Sequence, residues 1–315
     1  MPVTKLFDSA NTMSHFFRGS LPSVTLKSIL LTLAMLVSPA AMGAVFTAKD
    51  VASEEGKFAA YSVKNGMRAA FIEFFAEKSW LLRPELVDAQ AWLATRSDPA
   101  IILDWKSQRT ILSASGELGY STGPSIIRDK KNPAAPASHG QFFSVWQKQK
   151  GGEWKVLVDH GIAHGPTATP DKLSDAPLIA LDLPPPKAAA GGTVEDPEQQ
   201  FIARTVNAGD AYAATVSPRT RLLRADQLPI DGVKAIGEYL KANETQWAWT
   251  VKLQGASQAG DFVYAVGNVA WRTREGALKN GQYVRVWVRE SDAEPGKARW
   301  SLAGEVVTPQ PPAKK

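Results

Sequence analysis

The sequence contains no cysteine. This absence excludes disulfide bonds, a thiol nucleophile and a cysteine-linked lipid anchor, so core packing alone must stabilise the fold. The chain also lacks a glycine-rich phosphate loop, a GxSxG sequence and an HExxH sequence. Kinase, serine hydrolase and metalloprotease functions are therefore excluded at the level of motifs.

The chain also has little excess charge of either sign. The formal net charge of the 315 residues is +5, and the positive residues are spread along the chain without a block of five. Nucleic-acid binding needs a dense basic stripe. We therefore expect no nucleic-acid partner.

Long apolar runs are confined to the N-terminus. A basic lead-in ends at Lys27, the run ILLTLAMLV follows, and the small-residue stretch SPAAMGA comes next. This layout predicts an export signal over residues 1–44, cleaved after Gly43 or Ala44, with Met1 or Met13 as the start. The alternative is a membrane anchor, but the run is far shorter than the roughly 20 residues a span requires. We expect a periplasmic or secreted protein without a membrane segment after cleavage.

The rest of the chain is written twice. The segment GQFFSVW at Gly140–Trp146 returns as GQYVRVW at Gly281–Trp287, an offset of 281 − 140 = 141 residues. Other matches lie at an offset of 144 and pair Trp105, Gly116, Tyr120, Gly123 and Arg128 with Trp249, Gly260, Tyr264, Gly267 and Arg272. Small drifts in offset are what loop insertions produce in a duplicated domain.

The repeat divides the mature chain into a first half, 45–165, and a second half, 195–309. Between them, 166–194 is rich in Pro, Ala and Gly and predicts an extended, semi-stiff linker. Residues 310–315 read as a disordered tail.

Each half predicts helices first and strands last. Thr47 and Gly66 suit the ends of the opening helix in the first half, and Asp196, Pro197 and Gly209 do so in the second. Four strands follow in the first half, predicted at Asp104–Ala114, Leu118–Ile127, Gln141–Gln149 and Trp154–Ile162. This order predicts an α+β fold of two tandem cone-shaped domains, each with N-terminal helices packed on a curved antiparallel sheet.

The segments NAGDAYAATV, GDFVYAVGNVAWR, GQYVRVWVRE and RWSLAGEVV resemble the nuclear transport factor 2-like superfamily, which includes the SnoaL-like and ketosteroid isomerase-like proteins. The resemblance covers both halves. It implies a bent sheet wrapped around helices with a pocket at the wide end. It implies no single activity, since members isomerise, dehydrate or cyclise substrates and others only bind or dimerise.

Residues kept in both halves serve what both halves share. Gly123 and Gly267 are expected to let a strand bend, and the paired tryptophans to fill cores. Residues present in one half only mark a candidate site. The ligand-binding candidates are His139 and His164, which occur in the first half only, together with Trp80, Trp105, Tyr120 and Arg83 as possible pocket residues.

Asp159 and His160 are the catalytic candidates, as a carboxylate–imidazole pair for acid–base work. Adjacent strand residues point to opposite faces, so at most one of them lines a pocket unless the strand is bulged there. The alternative is that both are polar residues at a strand end. Arg83, which recurs as Arg224, either receives an anionic ligand group or pairs with a nearby acid such as Glu85.

Metal binding is the weaker alternative for the histidines. His160 and His164 are four residues apart, but on a predicted strand this spacing does not bring them together. We expect no metal and no other cofactor.

The sequence favours an exported small-molecule-binding or interaction protein over an enzyme, because no catalytic motif is present. The alternative is an isomerase, dehydratase or cyclase acting on a small apolar substrate in the first half, which requires that Trp80, Trp92 and Phe75 leave its cone open. Partners are expected to be a small apolar ligand and a protein, or the other half in a pseudo-dimer. For that pseudo-dimer, Val284, Val286 and Val288 are predicted to face helices, and Trp287 with its neighbouring arginines to face the interface or solvent.

Overall fold

The structure is a computed structural model that describes residues 46–167, 172–185, 196–205, 208–290 and 299–310. The predicted signal peptide, the tail from 311 onward and two stretches of the predicted linker lie outside these residues. The described residues all fall in one compact unit. None of the helices in the described ranges is both long and apolar enough to span a bilayer.

The first half opens with helices and continues as a sheet. Its elements are α1 (Ala48–Asn65), α2 (Met67–Phe74), β1 (Phe75–Leu82), β2 (Leu86–Asp88), α3 (Ala89–Ala94), β3 (Ile101–Trp105), β4 (Arg109–Leu112), β5 (Leu118–Asp129), β6 (Ser138–Lys148), β7 (Trp154–His164) and β8 (Ile179–Asp182).

The second half repeats this order. Its elements are α4 (Pro197–Arg204), α5 (Ala208–Thr215), β9 (Arg221–Arg224), β10 (Ile230–Asp231), α6 (Gly232–Asn243), β11 (Glu244–Ala256), β12 (Phe262–Thr273), β13 (Leu278–Glu290) and β14 (Arg299–Pro309). The α+β architecture of two tandem helix-and-sheet domains is therefore confirmed.

The opening helices begin where the sequence predicts. Thr47 precedes α1, and its backbone N–H donates to the Asp50 carboxylate at 2.7 Å. Asp196 precedes α4 and accepts from the N–H groups of Glu198 and Gln199, which helix geometry would otherwise leave unpaired. Gly66 ends α1 as predicted.

Two predicted boundaries are wrong. Gly209 does not end the opening helix of the second half, because α4 stops at Arg204 and Gly209 lies within α5. The segment predicted as one strand at Asp104–Ala114 forms two strands, β3 and β4. Both pair with β5, and the chain between them interrupts the regular pairing while it stays close to β5.

Gly123, on β5, allows the chain between β3 and β4 to lie close to β5. A Cβ atom at Gly123 would collide with the carbonyl oxygen of Lys106, and one at Gly267 would collide with that of Thr250. Thr250 is the repeat equivalent of Lys106 (250 − 106 = 144). In each sheet, the matched glycine thus allows two backbone segments to lie closer together than a side chain would permit.

Each half has its own sheet. The first has strand order β2-β1-β7-β6-β5-β4-β8, with β3 also paired to β5, and the second has order β10-β9-β14-β13-β12-β11. In both, the short strand after the helices runs parallel to the last strand of the meander, β1 beside β7 and β9 beside β14.

The predicted linker is partly ordered into the first sheet. Strand β8 pairs in parallel with β4, and the carboxylate of Asp182 accepts from the N–H of Ala48 at 2.6 Å. Leu183, the next residue, is buried. Within its described residues, the connection therefore contributes an edge strand to the first sheet and is not a free linker. The high proline content gave no indication of this strand.

Three apolar clusters form the core, and one of them joins the two halves. One lies beneath the helices of the first half and one beneath those of the second. The third, which we term the inter-sheet cluster, joins the two sheets face to face and includes Phe143, Val145, Val158, Val284, Val286 and Val306. Each half thus keeps a helix-side core of its own and shares a second one with its neighbour.

The pseudo-dimer expectation was wrong about which face meets which. Val284, Val286 and Val288 face the other sheet, in the inter-sheet cluster. Tyr283 and Trp287 lie in the helix-side cluster of the second half. The valine face is wholly apolar and suits another sheet, whereas the opposite face carries an arginine whose charge is neutralised within the core.

Placing a charge in the inter-sheet cluster should test this packing. Val286→Asp would bury a carboxylate with no partner, and we expect it to lower the free energy of unfolding by about 3 kcal/mol or more. The matched control is Lys252→Asp on an exposed strand position. Urea unfolding of both variants measures the difference, and equal midpoints would contradict face-to-face sheet packing.

Candidate functional site

A cavity of about 340 Å³ opens in the cone of the first half. It lies between α2, β3 and the adjoining ends of β5, β6 and β7. Its walls are largely apolar and include Met67, Phe71, Ile101, Leu103, Trp105, Ile127 and Phe142, with Arg83 and Asp159 among the polar residues. Concave, mostly apolar spaces of this size with a few polar groups are typical of small-molecule sites.

Asp159 is the acidic group of this cavity. It lies on β7 and is 8 % exposed. The Ser144 hydroxyl, from the neighbouring strand β6, donates to its Oδ2 at 3.0 Å. Burial raises the pKa of Asp159 to about 7, although the charge of Arg83 and the bond from Ser144 oppose the shift. The carboxyl therefore keeps its proton to a higher pH than an exposed aspartate does.

Glu55 is a second buried carboxyl, which the sequence reasoning missed. It lies on α1, is 1 % exposed and accepts the indole N–H groups of Trp105 and Trp146, each at 2.7 Å. Burial raises its pKa to about 7 against these two bonds, and the nearby Asp159 adds to the shift. The overlooked signal is its repeat partner Glu198, at the same offset of 198 − 55 = 143 as other helix matches.

Arg83 borders the cavity from the end of β1. Its Nη1 donates to the carbonyl of Leu82 at 2.8 Å, and no described carboxylate lies within 4 Å of it. Burial lowers the pKa of the guanidinium, and the charge of Asp159 acts in the opposite direction. Arg83 and Asp159 therefore influence each other through space without a direct contact.

His160 is separated from Asp159 by the strand alternation. Its Nε2 bonds the Thr308 hydroxyl of the second half at 2.6 Å, and its strand neighbours Val158 and Ile162 belong to the inter-sheet cluster. The register shift of this strand pair falls at Leu157, before Asp159. Burial lowers the pKa of His160 to about 3, with Arg83 acting in the same sense, so the ring is neutral. Asp159 and His160 are thus not brought together as an acid–base pair.

His139 and His164 lie side by side across β6 and β7, with ring centroids 6.3 Å apart. The Nδ1 of His164 donates to the carbonyl of Gly165 at 2.7 Å, so in the neutral ring Nε2 accepts from Gln141 at 3.3 Å. His139 borders the cavity and its Nε2 is buried without a partner. His164 does not border the cavity.

The aromatic candidates divide between two places. Trp105 lines the cavity. Trp80 packs against the inter-sheet cluster, and Tyr120 belongs to it, so both lie on the sheet face turned away from the cavity. A Cβ atom at Gly304 of the second half would collide with the Tyr120 hydroxyl. Trp92 and Phe75 pack in the helix-side core, and the cone stays open beside them.

The second half fills the matching space. Trp247 and Trp271 stand where the first half has Leu103 and Ile127 (247 − 103 = 271 − 127 = 144). Trp247 stacks on Trp249 with ring centroids 4.8 Å apart, and on Trp271 at 5.5 Å. The extra indoles occupy the volume that is a cavity in the first half.

Buried ion pairs complete the core of the second half. Arg285, 0 % exposed, donates to Glu198 at 2.7 Å and to Glu305 at 2.6 Å. Arg224 pairs with Glu305 and Glu244 at 2.6 Å and 3.0 Å. Burial alone would raise the pKa of Glu305, but Arg285 and Arg224 outweigh it and hold the pKa below its usual value.

Other recesses are placed differently. One of about 340 Å³ lies between α5 and α6 of the second half and includes Val233, Ile236 and Leu240. A wider one of about 520 Å³ lies where Arg83 and Arg96 approach β13 and β14. Within the described ranges no three His, Asp or Glu residues are grouped so as to hold a metal ion.

Solved structures similar to this chain each match about one half. A nuclear transport factor 2-like superfamily protein from Salmonella enterica is 11 % identical, with TM-score 0.29, over 38 % of this chain and 89 % of its own. A ketosteroid isomerase-like protein from Erwinia carotovora is 13 % identical, with TM-score 0.27, over 33 % and 83 %. A Mycobacterium tuberculosis protein in complex with estradiol-17beta-hemisuccinate is 13 % identical, with TM-score 0.27, over 35 % and 88 %.

No protein-family model matches the sequence, and no curated protein matches it either. The order of helices and strands in each half is the one that the resemblance to the nuclear transport factor 2-like superfamily implies.

The raised pKa of Asp159 has a consequence for stability. A carboxyl whose pKa is higher in the folded than in the unfolded state stabilises the fold below about pH 4, and this contribution is lost as the pH rises toward 7. We therefore expect Asp159→Asn to gain stability relative to the parent as the pH rises between these values, by about 4 kcal/mol.

Urea unfolding at several pH values measures this gain. The exposed Glu77→Gln is the control, and its difference from the parent should stay constant. A pH-independent difference for Asp159→Asn would contradict a raised pKa at this position.

Proposed function

We propose that the chain binds a small, largely apolar molecule in the cone of the first half, while the second half serves as a filled structural partner. The observation that carries the proposal is the contrast between the halves at matched positions. Leu103 and Ile127 border a cavity of about 340 Å³, and their equivalents Trp247 and Trp271 occupy the corresponding space. The asymmetry favours a site in one half only.

The walls support an apolar ligand held by few polar groups. Phe71, Trp105 and Phe142 offer aromatic surface, which contributes strongly to the binding of apolar ligands. Arg83 and Asp159 are the charged groups beside them and would fix the orientation of a polar end. The remaining ligand-binding candidates are not needed for this proposal, since Tyr120, Trp80 and His164 lie outside the cavity walls.

Filling the cavity as the second half does should abolish binding. We expect the double variant Leu103→Trp/Ile127→Trp to lose the fluorescence enhancement that the neutral dye phenylnaphthylamine shows with the parent. The reason is that two indoles would occupy the space available to the dye, as Trp247 and Trp271 do. A fluorescence titration of the full chain measures the loss.

The control for this test is Ile72→Trp, which adds an indole at an exposed position of α2. It should bind the dye as the parent does. Unaltered binding by the double variant, or no binding by the parent, would contradict a ligand site in the first-half cone.

A second candidate function is general acid–base catalysis on such a ligand. The observation that favours it is a buried carboxyl, Asp159, with a pKa raised to about 7, at the wall of an apolar cavity. A base with this pKa is well matched to proton abstraction near neutral pH. His160 also borders the cavity, but it does not share this role, because its ring is neutral and its Nε2 is bonded to the Thr308 hydroxyl.

Deuterium exchange separates catalysis from binding. A catalytic Asp159 should accelerate exchange of the α-hydrogens of a bound apolar ketone, followed by NMR in heavy water, and Asp159→Asn should abolish the acceleration. Equal exchange by parent and variant would leave binding as the function.

We also propose that the chain is exported and acts in the periplasm or outside the cell. The apolar run Ile29–Val37, followed by small residues up to Ala44, supports this proposal. Protein recovered from the periplasm of a producing bacterium should begin at Ala44 or Val45 when its N-terminus is sequenced. Leu33→Arg, which interrupts the apolar run, should block processing. An unprocessed chain in the cytoplasm would contradict export.

A further inference from the structure

The second half contains a guanidinium site of known geometry. Arg285 reaches Glu198 and Glu305 at 2.7 Å and 2.6 Å. Its guanidinium carbon lies 4.2 Å from the ring centre of Phe201, 4.0 Å from that of Trp249 and 4.6 Å from that of Tyr283. Two carboxylates and three aromatic faces therefore surround one buried cation.

The first half repeats the surroundings of this cation without the cation itself. Arg285 corresponds to Ser144, at the offset of the adjacent tryptophans (285 − 144 = 287 − 146 = 141). The carboxylates and rings have counterparts of the same kind at the repeat offsets, namely Glu55, Asp159, Phe58, Trp105 and Phe142. Only the arginine has no counterpart of the same kind, because Ser144 in its place is short and uncharged.

Of the two carboxyls in this arrangement, Asp159 is the one with room for a further partner. At Glu55 the indoles of Trp105 and Trp146 take one oxygen each. At Asp159 the Ser144 hydroxyl bonds Oδ2 alone, and no described cation lies within 4 Å. The equivalent Glu305 pairs with two arginines. Asp159 also borders the cavity, which Glu55 does not.

Room for a cation exists beside this carboxyl. The ring centroids of Trp105 and Phe142 are 6.3 Å apart, against 4.9 Å for Trp249 and Tyr283, which pack around Arg285. Both Trp105 and Phe142 line the cavity. Aromatic faces attract cations, and more strongly in a desolvated site.

Resting on the ligand-binding function proposed above, we propose that the ligand carries an ammonium or guanidinium group, which binds beside Asp159 against Trp105 and Phe142. The ligand supplies the cation that Arg285 supplies in the second half. Its apolar part occupies the remaining cavity toward Met67, Phe71 and Leu103.

An anionic ligand is the competing outcome, because Arg83 borders the same cavity. Two observations favour the cation. Arg83 already acts on Asp159 through space, and the facing groups, Glu55 from α1 and Asp159 from β7, are two carboxyls against one guanidinium. A carboxylate ligand would place a further acidic group beside two carboxyls whose ionisation burial already disfavours.

Three probes of matched size test the charge preference on the full chain. Calorimetric titration with phenethylamine, phenethyl alcohol and hydrocinnamate compares a cation, a neutral molecule and an anion on one apolar body. We expect phenethylamine to bind roughly tenfold or more tighter than the alcohol, the scale of a hydrogen bond to a charged group. Equal affinities, or tightest binding of hydrocinnamate, would overturn the proposal.

Ser144→Arg offers the sharpest variant, since it supplies the guanidinium internally. It should lose phenethylamine binding, while Ser53→Arg, the same substitution at an exposed position of α1, should retain it. Because an added arginine can disturb folding, Asp159→Asn is the second variant and should lower phenethylamine affinity roughly tenfold while affecting the alcohol much less. Retention of the amine preference in Asp159→Asn would overturn the proposal.

The pH dependence gives an independent readout. Phenethylamine affinity should rise as the pH increases through about 7, because Asp159 ionises there with Arg83 and Glu55 as the facing charged groups. A flat profile would count against the proposal. If none of the three probes nor phenylnaphthylamine binds, the proposed ligand-binding function fails; if they bind without regard to charge, only this inference fails.

Discussion

Each half depends on one buried carboxylate in its first helix. Glu55 holds the indoles of Trp105 and Trp146, and Glu198 holds that of Trp287, all at 2.7 Å. A carboxylate in an apolar core is costly unless its oxygens are bonded, so these contacts fix both the depth and the rotation of the helix over the sheet. The other helices and strands of each half are arranged around this contact between helix and sheet.

The two halves satisfy that constraint in different ways, and the difference creates the site. In the second half, arginines neutralise the buried acids and indoles fill the remaining volume. In the first half, Ser144 replaces an arginine and smaller side chains leave a cavity beside Asp159. In one copy indoles fill the cone, while in the other smaller side chains leave an accessible interior.

Local signals predicted much of the fold, and the long-range contacts escaped prediction. Thr47 and Asp196 act within a few residues, and the matched glycines recur at a constant offset, so their roles are readable from the sequence. The orientation of β13 was misjudged because an arginine between valines suggests an exposed face, and the acids that bury Arg285 lie 87 and 20 residues away. Glu55 was overlooked for the same reason, since its indole partners lie 50 and 91 residues along the chain.

Gly304 makes the pairing of the halves directional. The Tyr120 ring lies over it, and the repeat equivalent of this glycine in the first half is Val158 (304 − 158 = 146). Two copies of the first half, assembled in the same way, would set Tyr120 against a branched side chain instead of a bare backbone. Two copies of the first half would therefore pack less closely at this point than the two different halves do.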